Sequence, residues 1–408
     1  MPRPRPDHLE VGVTYWPAGV GPYMWQEFPV DTVRRDLAAI ASRRIPVVRV
    51  LLSWDAFMPT DRAPNARRMR DLETLLTIAR ELGLRVVLTL FAQSIGDCVM
   101  LPAYVIDRRA PRRGVRCVTD ARVADGGPRD IYADPLMLEV QVRWLTAMLA
   151  GFAGHPAIAA WDLGHDPATT IRPRRIAEMA AWAELLAERV HAVDEECRIT
   201  LGQGDVVQGR GVRLAALAEH VDALGLVVHP QRLALPGQPL APGRAVFIAE
   251  LAEALAGATT PLVVEVGIAS GAMDSAPHAD GVLADRVTAP PDDARRAADE
   301  MLQRLIGSGV AGLHAGGWCD WGQRLIDIPP VDRSPWWSRL GILDSTGVSK
   351  PIAEVWQALA GRDHAVGSPS PYPMAIDVES YYANLPDSLL DLHASWEDDR
   401  GFAPAILD

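Results

Sequence analysis

The sequence predicts an α/β fold, a (β/α)8 TIM barrel, on three observations. Short runs rich in Val, Ile and Leu alternate with longer amphipathic runs, the pattern of parallel strands that each return through a covering helix. Eight such pairs fit in roughly 350 residues. The strand runs are apolar nearly throughout, as strands buried on both faces are. With 408 residues, 49% of them hydrophobic and 23% charged, the chain can bury one large core. A pair of doubly wound domains fits less well, because no GxGxxG follows the first strand run and no linker interrupts the middle.

The strands are expected in VGVTYW (from Val11), PVVRVLL (Pro46), RVVLTLF (Arg85), IAAWDLG (Ile158), RITLGQG (Arg198), ALGLVVH (Ala223), PLVVEVG (Pro261) and AGLHAGGW (Ala311). Between them DTVRRDLAAIAS, MRDLETLLTIARELG, LMLEVQVRWLTAMLAGFAG and DDARRAADEMLQRLIGSG carry helical periodicity. Two stretches depart from this rhythm. Residues 93–129 show no clear period and read as a long β3-α3 loop, with Arg108, Arg109, Arg112, Arg113 and Arg116 as a solvated cluster or, less simply, an anion site. Beyond Gly361 the chain turns rich in Pro, Ser, Asp and Tyr, including SPSPYP. Tyr381, Tyr382, Leu389, Leu390 and Trp396 are too apolar for a free tail. Residues 1–361 are therefore expected to form the barrel and 362–408 a C-terminal extension packed on it.

The net charge of −12 argues against nucleic acid or an anionic membrane as the partner. Lys350 is the only lysine, in a segment that opens a late helix, so Schiff-base chemistry is not expected. The four cysteines, Cys98, Cys117, Cys197 and Cys319, lack zinc spacing and read as thiols, with a Cys98–Cys117 bridge left open. The N-terminal MPRPRPDHLEVGV lacks an apolar h-region and no run reaches membrane-spanning length, so a soluble, cytoplasmic protein is expected. Neither a metal nor a cofactor is called for, and nothing specifies an oligomeric state.

In a (β/α)8 barrel the chemistry sits at the C-terminal strand ends, which singles out Arg49, Asp166, His229, Glu265, Trp318 and Asp320. A carboxylate inside Val263-Val264-Glu265-Val266 is costly to bury without a cation, and Arg49 is the expected partner. Asp166 has two readings. With Pro167 behind it, it makes a good helix N-cap; across the mouth from Glu265, it is half of an acid pair. Two such carboxylates suit glycoside cleavage, one protonating the leaving oxygen while the other attacks or activates water, with no metal. Trp16, Trp54, Trp318 and Trp321, near strand ends, offer flat faces to sugar rings or pack in the core.

GVTYWP, VVRVLLSW, HPAIAAWDLGHDP, VVHP, PLVVEVG, GGWCDWG and LGILDSTGVSKPIAEVW together resemble the clan A glycoside hydrolases, the (β/α)8 retaining glycosidases of cellulase-like, β-mannanase-like and barrel β-galactosidase type. The resemblance runs from about Val11 to Gly361. It implies a carbohydrate substrate, Glu265 as nucleophile, Arg49 holding it ionised, His229 beside the site, Trp318 as sugar platform and Asp166 as acid/base. The chain departs from the clan twice: His165-Asp166 stands for Asn-Glu, and His229-Pro230-Gln231 for His-x-Tyr. Retaining enzymes hold their carboxyls about 5 to 5.5 Å apart and inverting ones roughly 6.5 to 9.5 Å; shortening Glu to Asp withdraws the acid by about 1.5 Å, which can cost on the order of a hundredfold. His165 can replace the missing Asn as a donor to the sugar 2-hydroxyl, or serve as the acid itself. A non-hydrolytic carbohydrate-binding barrel stays open as an alternative, as does a metal-dependent sugar isomerase using Asp166, His229 and Glu265.

Overall fold

The structure is a computed structural model that describes residues 6–366 and 374–400, apart from 92, 97, 194, 210–211, 258–259 and 272–287. Its eight central strands are β1 (Glu10–Thr14), β2 (Val47–Leu51), β3 (Arg85–Thr89), β4 (Ile158–His165), β5 (Cys197–Gly202), β6 (Ala223–Val228), β7 (Leu262–Val266) and β8 (Gly312–Ala315). They pair in order, all parallel, and β8 closes on β1 with Glu10 opposite Gly312 and Val13 opposite Ala315. The covering helices are α1 (Val30–Ser42), α2 (Ala66–Glu81), α3 (Pro135–Phe152), α4 (Ile176–His191), α5 (Leu214–Ala218), α6 (Pro242–Ala256), α7 (Pro291–Ser308) and α8 (Ile352–Ala360). The TIM barrel expected from the alternation is the fold observed.

Local chemistry starts and stops these helices. The Asn65 side chain accepts from the Arg67 and Arg68 amides at the head of α2, and Asp134 accepts from Leu136 N with Pro135 in the first turn of α3, filling donors that a helix start leaves orphaned. Gly309, left-handed, ends α7.

Strands buried on both faces still have to fill the barrel's interior, and here they fill it with paired charge. Low in the barrel Arg198 forks onto Glu10 (2.7 and 2.8 Å), which also meets His314 Nε2 at 2.8 Å. His314 occupies space that Gly12 leaves open, since a Cβ there would lie 2.6 Å from its ring. A second charged layer above it forms the candidate active site.

The 93–129 stretch is ordered rather than a loop without period. Gln93–Ile95, Cys98–Met100, Arg116–Thr119 and Arg122–Ala124 are strands that extend the sheet from the end of β4, with Gln93 opposite His165. Runs of three or four residues are too short for alternation to show. Arg108, Arg109 and Arg113 are exposed, and Arg116 Nη2 donates to both Asp332 oxygens (2.9 and 2.7 Å), tying this excursion to the segment after β8. Cys98 and Cys117 are buried thiols outside any disulfide, so the bridge between them does not form.

Beyond the barrel, helices α9 (Val378–Ala383) and α10 (Asp387–Arg400) pack back onto it. Tyr381 Oη donates to Val206 O, and Trp396 Nε1 and Arg400 Nη2 donate to Glu250 of α6. SPSPYP and 401–408 lie outside the described residues. Among the described residues no helix is long and apolar enough to cross a membrane.

Candidate active site

Arg49, from the middle of β2, organises the upper charged layer. Its Nη1 donates to Glu265 Oε2 at 3.1 Å, and its Nε and Nη2 donate to Asp162 Oδ2 at 3.1 and 2.8 Å. All three side chains are 5% exposed or less. Glu265 also accepts from Thr14 Oγ1 of β1, again on Oε2. Burial alone would pull the guanidinium pKa down; the charges of Asp162 and Glu265 outweigh it and raise it. The expectation that Glu265 needs a cation, and that Arg49 supplies it, therefore matches the geometry.

Asp162 was not singled out from the sequence, although the rule that flagged Glu265, an acid inside an apolar run, applies equally to Ala160-Trp161-Asp162-Leu163. It is the most heavily bonded carboxylate of the layer. Oδ2 accepts from Thr89 and Thr200 hydroxyls (2.8 and 2.9 Å) in addition to Arg49, and Oδ1 accepts from the Thr200 and Gly164 amides (3.0 and 3.3 Å).

Strict alternation along β4 would turn Asp162, Gly164 and Asp166 inward. The pairing with β5 slips between Asp162 and His165, and this one-residue bulge reverses the parity of the residues after it. It brings His165 into the site, where Nδ1 lies 3.0 Å from Arg49 Nη1. Asp166 then adopts a left-handed backbone, φ 49°, and its side chain makes no cap to the short helix that starts at Pro167, so the capping reading is not realised. Instead its half-buried carboxyl lies on Gly202 at the end of β5, where a Cβ would come within 2.1 Å of Oδ1. The Tyr132 hydroxyl is pushed well up by burial and then by the charges of Asp205 and Asp166.

His229, at the end of β6, lies at the same site. Its Nδ1 is 3.3 Å from Gly267 O, and its amide donates to Gln203 Oε1. Gln231 exchanges two bonds with the Ala269 backbone and fixes the start of the segment after β7. Over the two imidazoles stands Trp337, edge-on to both, with ring centroids 6.5 Å from His165 and 4.8 Å from His229. Trp336 packs on His229 from the same turn, Pro335–Arg339. Neither tryptophan carried a periodic signal in the sequence.

The other expected residues divide. Trp16 and Trp321 meet edge to face at 5.5 Å and line a small cavity with Trp337, at the mouth. Trp318 lines the same cavity, with its ring buried, reaching Asp36 of α1 and lying under the Arg43 guanidinium. Trp54 is equally buried, stacked with Trp144 and edge-on to Phe91 in the core behind α3. Asp320 is committed inside the protein, accepting from Lys350 Nζ at 2.7 Å and Gly341 N at 3.0 Å. That amine also donates to Ser270 O and Arg339 O. Asp166, His229 and Glu265 do not assemble into a metal-ligating group; among the described residues no such group occurs.

No protein-family model and no curated protein matches the chain. Solved structures do match in fold. A GH5_18 protein of Streptomyces cattleya, solved in complex with Manβ1-4GlcNAc, superposes with a TM-score of 0.75 at 18% identity, over 96% of this chain and 92% of that one. An exo-β-1,4-mannosidase of Opitutaceae bacterium strain TAV5 gives 0.67 at 21% identity, over 86% of this chain, which spans 59% of that longer protein. A β-galactosidase from the psychrophilic Marinomonas ef1 gives 0.60 at 16% identity, over 86% of this chain and 59% of that one.

Proposed function

We propose that the chain is a clan A glycoside hydrolase that cleaves β-linked glycosides by a retaining, two-carboxylate mechanism. The observation that carries this reading is the Arg49–Glu265 pair at the end of β7. The guanidinium and a threonine hydroxyl both hold this buried carboxylate on Oε2, and Oε1 is left to attack an anomeric carbon. Asp166 takes the acid/base role by its place after β4, Arg49 and His165 flank the nucleophile, and His229, Trp16 and Trp337 contact the sugar. The neighbours named for mannosides, and the one solved with Manβ1-4GlcNAc, make aryl β-mannosides the first substrates to test, ahead of β-galactosides. Glu265→Ala is expected to lower turnover of an activated aryl β-glycoside at least about a thousandfold; a variant with full activity would remove the assignment.

A second reading, a barrel that binds sugar without cleaving it, is favoured by one observation, the carboxyl of Asp166 turned onto Gly202. Asp166→Glu, alone and with His165→Asn, discriminates. Hydrolysis gained only in the double variant supports this second reading, and turnover by the unaltered chain dismisses it.

A further inference from the structure

We infer that His165 and His229 form a neutral donor–acceptor pair that selects an uncharged hydroxyl on the ligand. The inference rests on the glycosidase reading only for the ligand being a glycoside.

The tautomers follow from the partners. A guanidinium only donates, so His165 Nδ1, 3.0 Å from Arg49 Nη1, accepts, and the ring proton sits on Nε2. A carbonyl only accepts, so His229 Nδ1, 3.3 Å from Gly267 O, carries the proton and Nε2 keeps a lone pair. Both rings are held neutral. His165 lies well below the usual range, through burial first and then the Arg49 charge; His229 is pulled down to about 4, chiefly by burial. This also sets aside His165 as the general acid, because its one bare nitrogen already faces Arg49.

The two remaining atoms, His165 Nε2 and His229 Nε2, are buried without a hydrogen-bond partner in the protein, on residues 1% and 6% exposed. An unmet buried polar group costs roughly 1–3 kcal/mol. The two are of opposite polarity and their rings both pack against Trp337, so a ligand group that both donates and accepts would answer both. A hydroxyl does both. A carboxylate only accepts, so it sets lone pair against lone pair at His229 and meets the charge of Glu265. An ammonium only donates, so it opposes the His165 N–H and meets Arg49.

The test uses the full chain labelled with 15N-histidine. Long-range 1H–15N spectra at neutral pH, assigned with His165→Phe and His229→Phe, or with Gln at each position where Phe does not fold, should show the Nε2-H tautomer for His165 and the Nδ1-H tautomer for His229. Calorimetric titration with methyl β-D-mannopyranoside, the matching uronate and the matching 2-amino-2-deoxy glycoside should show the neutral compound binding at least about tenfold tighter than either charged one. The advantage over the uronate should shrink in the His229 variant, and that over the amino glycoside in the His165 variant. The same tautomer at both rings, equal binding of a charged analogue, discrimination against the uronate undiminished in the His229 variant or against the amino glycoside undiminished in the His165 variant, or binding of none of the three overturns the inference. Should the neutral glycoside bind selectively while the unaltered chain turns over no aryl glycoside, the glycosidase reading falls and the histidine pair stands.

Discussion

Arg49 is one buried cation shared by two buried carboxylates, and the three side chains do not depend on each other equally. Asp162 is bonded by donors from β2, β3, β4 and β5, so it orients Arg49, and Arg49 in turn orients Glu265. Asp162→Ala should therefore cost about 3–5 kcal/mol by urea denaturation, the range for breaking a buried pair from one side, and it should misplace the Glu265 carboxyl. The imidazoles set a pH dependence. Because His229 titrates near 4 in the folded chain and near 6.5 unfolded, the unfolded state binds more protons between those values. Its contribution to stability is complete above pH 6.5 and is lost as pH falls toward 4, a loss of roughly 2 kcal/mol between pH 7 and pH 5. Denaturation of the unaltered chain and of His229→Gln at both pH values checks this; the variant's loss should be smaller by about that amount. Glu265 and Arg49 were legible in the sequence because an acid or base inside an apolar run needs a reason. Asp166 was legible as a position and not as a geometry, because the bulge after Asp162 leaves no mark in residue type.

At the scale of elements, the turn Pro335–Arg339 carries Trp336 and Trp337 over the histidines, and one amine holds it. Lys350 Nζ, at the start of α8, donates to Arg339 O, Asp320 Oδ1 and Ser270 O, joining that turn to the segments after β7 and β8. Asp320 is pushed up to about 6 by burial, against the pull of Lys350 and then of Arg339, 3.8 Å away, so without the amine its charge loses its nearest partner. Lys350→Met is expected to destabilise the chain by about 3–5 kcal/mol and to shift tryptophan fluorescence. Asp320→Asn in the same chain should restore part of the loss, because the stranded carboxylate is gone; a four-protein denaturation cycle measures the coupling. The sequence marked Lys350 only as a residue unsuited to covalent catalysis. Its role depends on three segments far apart in the chain, which no local pattern encodes. The tryptophans at 336 and 337 sit in a five-residue 3-10 turn, too short to carry a period, whereas Trp54, beside an obvious strand end, packs into the helix layer against Trp144.

The whole molecule is a closed barrel whose outer layer is itself partly covered. Helix α6, PGRAVFIAELAEALA, is buried at nearly every position, and it is apolar on more than one face, the mark of a helix packed on two sides. One side is the barrel. The other is α10, where Trp396 and His393 pack edge-on to Phe247 and Trp396 Nε1 donates to Glu250 Oε2 at 2.8 Å. This arrangement was legible at the coarsest level, in the apolar residues of a segment otherwise rich in Asp and Ser, while its docking partner was not, since α6 and α10 lie far apart in the chain. The extension thus works as a second layer of core. Trp396→Ala should remove that packing and one of the bonds to Glu250, costing about 3–5 kcal/mol in urea denaturation. Arg400 continues to neutralise Glu250 through two bonds, so the loss should come from packing and not from a stranded charge. It should accordingly be the same at pH 6 and pH 8 and insensitive to salt. A salt-dependent loss would mean instead that the extension is held by the Arg400–Glu250 pair. Because α10 touches α6 and not the mouth of the barrel, affinity for a methyl β-glycoside should be unchanged at temperatures below the unfolding transition.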